Sequence, residues 1–144
     1  VEEKKMIEDL FREINTNTGK GSYGLQEVIE FLKNNVVKTL LITDNTNLHR
    51  VEAKCKRCNH IQEDIVERPL VIPKKTEYRN SPCPECKAMD TEVNEQDIVD
   101  YLQIIAAKTG SQLEVISGSA EHGNMLSSLG KIGAVLRYNP GHTK

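Results

Sequence analysis

Val36-Val37-Lys38-Thr39-Leu40-Leu41-Ile42 is a short, mostly apolar run of β-branched and aliphatic residues closed by Asp44-Asn45-Thr46-Asn47. It reads as a strand buried on both faces. Upstream, Met6, Ile7, Leu10, Phe11 and Ile14 recur at helical intervals over residues 2–15, with Glu3, Lys4, Glu8, Arg12 and Glu13 outside. That helix should stop in Asn15-Thr16-Asn17-Thr18-Gly19. A second helix is expected from Gly24 to Asn34, with Val28, Phe31 and Leu32 as its apolar face. Downstream, Asn94 can cap a helix through Lys108 that buries Ile98, Leu102, Ile105 and Ala106 and closes on Gly110. Leu113 to Ser117 is a strand, Ser119 can cap a short helix over 120–129 ended by Gly130, and Ile132 to Tyr138 is another buried strand. The tail 139–144 is expected to fray. This order predicts a layered α/β domain with a mixed or largely parallel sheet.

Between Leu48 and Asn94 the texture changes. Arg50-Val51-Glu52-Ala53-Lys54 alternates like a half-buried strand, Ile61 to Arg68 returns as its partner, and residues 73–82 read as polar loop. Two cysteine pairs of identical spacing stand here, Cys55-Lys56-Arg57-Cys58 and Cys83-Pro84-Glu85-Cys86, and the chain has 4 cysteines in all. Two such knuckles can converge four thiolates on one tetrahedral ion, each sulfur about 2.3 Å from the metal. Zinc, in a structural role, is the expected ion; iron in an all-cysteine site asks for similar ligands. The competing readings are disulfides, free thiols, or a redox CxxC, which normally occurs once, at a helix start. Lys54, Lys56, Arg57 and Lys87 favour thiolates electrostatically. His60 could be a spare ligand, although four sulfurs already close the site. Four thiolates and a divalent cation add a further charge of about −2 to the formal −2 of the chain. A left-handed residue often follows the second cysteine of a knuckle. Asn59 accepts that geometry and Lys87 accepts it poorly, so the second knuckle is expected to be looser or to turn differently. With so few apolar residues, the stretch would fold through its metal. The body is therefore read as 1–47 and 95–144, and the metal-stapled insert as 48–94.

A chain of 144 residues, 38% hydrophobic and 28% charged, has the composition of a globular domain. No apolar run approaches the roughly 20 residues of a membrane span, and cysteines confined to paired CxxC motifs fit a reducing cytoplasm. The opening inside a helical pattern at Val1 suggests a fragment of a longer protein, expected to be monomeric. The near-neutral charge argues against a broad nucleic-acid footprint, yet Lys54, Lys56, Arg57, Lys74, Lys75 and Arg79 cluster in the insert and leave RNA or ribosome binding as an alternative. No phosphate loop, nucleophile elbow or dinucleotide fingerprint occurs. Gly19, Gly21 and Gly24 follow a helix and fit a loop and cap. Asp97 and Asp100 read as a solvated helix face, Glu121-His122 as cap chemistry, and His49, His122 and His142 are scattered. The closed cysteine set offers no open coordination position for metal catalysis, so no enzyme is expected.

The opening EEKKMIEDLFREINTNTGKGSYGLQEVIEFLKNNVVKTLLI, the paired-CxxC insert, the EVIS strand and the closing GKIGAVLRY resemble the C-terminal domain of archaeal class-1 peptide chain release factors. The nearest rival is the C-terminal domain of the ribosome-rescue protein Pelota, which usually lacks the paired cysteines. The resemblance implies a three-layer α/β/α domain with a small insert, acting in translation termination without decoding or peptidyl-tRNA hydrolysis. It implies as partners an elongation-factor-1-alpha-type GTPase and an ABC-type ribosome-recycling ATPase. Carried over by position, the contacts are Lys4, Lys5, Asp9, Arg12, Glu13 and Tyr23 in the opening helix and turn, and Leu136, Arg137 and Tyr138 in the closing motif. Ala134 and Val135 stand where Gly-Ile is common. Lys131 stands where a second glycine is usual, which leaves the backbone before the strand in question.

Overall fold

The computed structural model describes residues 2–141. Val1 and the end of the tail, His142 included, lie outside the described residues. The elements are α1 (Glu2–Asn15), β1 (Gly21–Tyr23), α2 (Leu25–Lys33), β2 (Val37–Thr43), β3 (Leu48–Cys55), β4 (Ile61–Glu67), a 3-10 turn (Arg68–Leu70), α3 (Val71–Arg79), β5 (Thr91–Asp97), α4 (Ile98–Thr109), β6 (Gln112–Ile116), α5 (Glu121–Ser127) and β7 (Ile132–Leu136). They form two compact units: residues to Thr46 with those from Leu102, and Asn47–Tyr101.

The first unit is an α/β layer structure on a mixed sheet of order β1-β7-β2-β6. β2 pairs β6 in parallel and β7 antiparallel, and β1 adds antiparallel to β7. The reading of Val36–Ile42 holds: Val37, Leu40, Leu41 and Ile42 are at most 1% exposed. Leu41 packs on one face with Ile7 and Leu10 of α1, Ile116 of β6 and Leu126 of α5. Leu40 and Ile42 point the other way by the two-residue period. α2, which contacts β1, β2 and β7, buries Val28, Phe31 and Leu32. Asn35 ends α2 in the left-handed region at φ 66. Its amide donates to Leu32 O (3.2 Å) and that of Val36 to Phe31 O (3.0 Å), a Schellman closure that turns the chain directly into β2. Gly133 on β7 faces α1 so closely that a Cβ would strike the Leu10 side chain.

The second unit is an antiparallel sheet of order β4-β3-β5. Val51, Ala53 and Cys55 of the central strand alternate inward at 0%, 1% and 3% exposure. α3 lies against β3 and β5. Three sequence expectations are corrected here. The polar loop 73–82 is mostly α3, which follows Pro69 of the 3-10 turn and carries Pro73 in its own first turn, where proline is tolerated. Its hold is electrostatic, with Lys74 to Asp64 at 3.2 Å on one side of β3 and Lys75 to Glu95 at 3.1 Å on the other. Asn94 lies in strand β5, and the helix cap is Asp97, whose Oδ2 accepts the Val99 amide at 2.9 Å. Ser119 does not cap α5 through its side chain; it meets Ser117 instead, at 3.2 Å.

Candidate functional site

β3 ends on Cys55 and runs straight into the first knuckle. There the Cys55 amide donates to His60 O (2.9 Å) and the Asn59 amide to Cys55 O (2.8 Å). The second knuckle repeats the pattern, with Cys83 N–H to Ala88 O (2.9 Å) and Lys87 N–H to Cys83 O (2.8 Å). Asn59 and Lys87 sit at φ 65 and 66. The expectation that the second turn differs is thus wrong: the closing hydrogen bonds impose one turn on both, and Lys87 accepts a left-handed backbone that costs about 1–2 kcal/mol. Lys87→Gly is accordingly expected to stabilise the second unit by about 0.5–1 kcal/mol, the relief being partly offset by glycine's greater unfolded-chain entropy. A urea titration at saturating metal checks it.

The four sulfurs lie within 4.8 Å of one another. Cys55 and Cys86 approach to 3.5 Å, as do Cys58 and Cys83. A tetrahedron with metal–sulfur bonds of about 2.3 Å has edges of about 3.8 Å, whereas disulfide sulfurs lie about 2.05 Å apart. All four are free thiols, Cys55 and Cys83 buried, Cys58 and Cys86 exposed. The Cys58 amide, opposed by desolvation and helped by that of Arg57, holds Cys55 down at about 7. Cys83 is lowered chiefly by the Cys86 amide, with desolvation opposing and the Glu85 amide adding to it. Cys58 is drawn down by the His60 amide, but desolvation and its sulfur neighbours push it up to about 12. The donor set therefore suits one divalent ion that replaces the shared protons. The His60 side chain is outside the cluster. Of the basic residues around it, Arg57 faces Asp90 at 4.0 Å, and Lys74 and Lys75 hold the acids named above. The second unit carries nine Lys or Arg against eleven Asp or Glu, a poor balance for binding phosphates.

The opening and closing segments meet in the first unit. Gly21, Ser22 and Tyr23 pair with Val135, Ala134 and Gly133. Leu136 N–H donates to Lys20 O (2.7 Å), and Asn139 Nδ2 donates to Thr18 O (3.3 Å), which anchors the start of the expected frayed tail. Glu13, Tyr23 and Leu136 line one groove of about 420 Å³ with Ile14, Phe31 and Pro140. Tyr23 and Tyr138 are 50% and 54% exposed, while Leu136 is buried. Lys4 lies apart, beside Ile7 and Met125. Lys5 and Asp9 line another hollow with Lys38 and Gln112, and Asp9 pairs with Arg12. Lys131 does take a left-handed φ of 72, so the backbone is kept without the glycine.

A profile of the family described as eRF1 domain 3 matches residues 1–140. The chain belongs to that family. Among relatives of this eRF1 domain 3, the peptide chain release factor subunit 1 of Thermococcus onnurineus is 33% identical over 140 residues, covering 96% of this chain and 33% of its own length. That of Methanocaldococcus jannaschii is 29% identical over the same coverage. The chain thus spans about a third of the length of the curated relatives it matches. The C-terminal domain of a peptide chain release factor from Methanosarcina mazei superposes with a TM-score of 0.80 at 28% identity, covering 97% of this chain and 84% of that one. Pelota of Archaeoglobus fulgidus shares the fold, with a TM-score of 0.57 at 23% identity over 98% of this chain and 31% of its own.

Sequence reasoning missed one polar cluster in the eRF1 domain 3 body. His122 Nε2 meets Glu3 Oε1 at 2.9 Å, and Glu3 is held below its usual range first by that bond, with the Ser117 amide adding to it. Gly118 N–H donates to Asp44 Oδ1 at 2.9 Å. Glu121-His122 reads as cap chemistry in the sequence, and no spacing links Glu3 to residues so far along the chain.

Proposed function

We propose that this domain is the partner-binding part of a translation termination factor, docking an elongation-factor-1-alpha-type GTPase and later an ABC-type recycling ATPase on the ribosome. The observation that carries the reading is the meeting of the opening turn and closing strand, far apart in sequence, around one groove edged by Tyr23 and Leu136. A two-sided groove with half-exposed Tyr23 at its edge suits a protein partner, because tyrosine is among the residue types that dominate interface energetics. The likeness of the fold to Pelota, which has been described bound to the ribosome with ABCE1, agrees with the second partner. Zinc held by Cys55, Cys58, Cys83 and Cys86 has a structural role, cross-bracing both knuckles without an open position.

Titration calorimetry against such a GTPase with GTP tests the docking. Tyr23→Ala and Tyr138→Ala are each expected to weaken binding about tenfold, the loss typical of an interface anchor, with unchanged thermal midpoints. Binding indifferent to both moves the site off this face. Absence of binding by the isolated domain, with salt-sensitive binding to ribosomal RNA, would favour the RNA-facing alternative.

A further inference from the structure

The reading of the four thiolates as a metal centre has a redox corollary. Each knuckle begins on a buried cysteine, Cys55 or Cys83, and ends on an exposed one, Cys58 or Cys86. Across the knuckles exposed Cys58 faces buried Cys83, and exposed Cys86 faces buried Cys55, both at 3.5 Å; within the first knuckle Cys58 also interacts with Cys55. We propose that a peroxide converts the zinc-loaded centre into a metal-free form closed by two cross-knuckle disulfides, Cys58–Cys83 and Cys55–Cys86.

The exposed thiolate meets the oxidant first. Its sulfur attacks one peroxide oxygen, so an S–O bond forms, the O–O bond breaks and hydroxide leaves, giving a sulfenic acid. The facing buried thiolate then attacks that sulfur; the S–S bond forms, the S–O bond breaks and a second hydroxide leaves. Each disulfide thus takes two electrons from two thiolates and reduces one hydrogen peroxide to two hydroxides. With both pairs oxidised, no thiolate would remain to hold a divalent ion, which would be released to water. Pairing within a knuckle would pull the sulfur from the amides of its own turn, those of Arg57 and Cys58 on Cys55 and of Glu85 and Cys86 on Cys83. It would also leave the two knuckles without a covalent link once the metal has gone. Pairing across them replaces the lost ion with a covalent brace.

The chain carries the cleavage sites needed to tell these outcomes apart. Trypsin cuts after Lys56 and Arg57 and a glutamate-specific protease after Glu85, which separates all four cysteines. Zinc content is measured first by atomic emission. The loaded protein is then treated with hydrogen peroxide, zinc release followed with a chromogenic chelator, remaining thiols alkylated and the digested peptides mapped by mass spectrometry. Cross-knuckle peptides released in step with zinc are expected. So is retained hydrogen-exchange protection in β3, β4 and β5, compared with its loss in reduced, chelated protein. Peptides linking Cys55 to Cys58 or Cys83 to Cys86, disulfides between chains, or sulfinic acids without disulfides would each overturn the proposal. A starting protein that binds no metal would instead overturn the metal reading beneath it.

Discussion

Chelation of the metal, or Cys55→Ser, is expected to melt β3, β4, β5 and α3 while leaving the sheet of β1, β7, β2 and β6 folded. The size of the effect follows from what the second unit has to bury. Its deeply buried side chains are Val51, Ala53, Cys55, Val71, Cys83, Ile98 and Tyr101, and two of those are sulfur ligands. A core that small does not offset the conformational entropy of its chain, and loss of a structural zinc forfeits roughly 10 kcal/mol of local folding free energy. Hydrogen exchange with mass spectrometry would show protection collapsing within 47–101 and persisting in β2 and β7. Collapse of both units would mean that they do not fold separately. The dependence on pH has a definite sign. Binding needs thiolates, and Cys58 in the metal-free chain holds its proton up to about 12, so loading at neutral pH releases protons and affinity falls as the pH drops. Calorimetry in buffers of different ionisation enthalpy counts those protons.

Arg137→Ala and Tyr138→Ala should part company. Arg137 donates through Nε to Val37 O at 3.0 Å, through Nη2 to Thr109 O at 2.8 Å and through Nη1 to Asn35 Oδ1 at 3.3 Å. Its backbone amide adds a 2.7 Å bond to Val36 O. The guanidinium thereby ties the end of β7 to the approach to β2 and to the last turn of α4, where the carbonyl end of a helix favours a cation. Hydrogen bonds from a charged group are each worth about 1.5–3 kcal/mol when shielded, and exposure reduces that. Arg137→Ala is therefore expected to cost about 2 kcal/mol of stability in the first unit, seen as a lower denaturant midpoint with unchanged slope. Tyr138→Ala, at a side chain 54% exposed, should change stability by less than about 0.5 kcal/mol. Equal stability losses would contradict the clamp. A binding defect in Arg137→Ala is interpretable only beside its midpoint.

Much of the body was legible because burial writes a period into sequence. The apolar run of β2, the stripes of α1 and α2, and the strands β6 and β7 fell where their patterns pointed. What escaped detection is held by something other than apolar pattern. β1 is Gly-Ser-Tyr, three residues that become a strand only by pairing with β7. β5 is Thr-Glu-Val-Asn-Glu-Gln-Asp, polar enough to pass for a helix start, and takes its conformation from its register with β3. α3 buries Val71 and relies on ion pairs to two different strands. The cysteine tetrad was readable from spacing alone, since knuckle geometry is local. The engagement of Arg137 with main-chain oxygens was not, because those oxygens are brought to it by the tertiary fold.

In open α/β sheets, small ligands settle outside the carboxyl ends of parallel strands. Here, beyond β2 and β6, the amides of Ser117 and Gly118 already serve Glu3 and Asp44, and His122 bolts the first of these in place. The protein has filled its own keyhole with two carboxylates. A visiting phosphate or acid would have to evict them before it could reach those amides, whereas Tyr23 and Tyr138 already stand exposed to solvent.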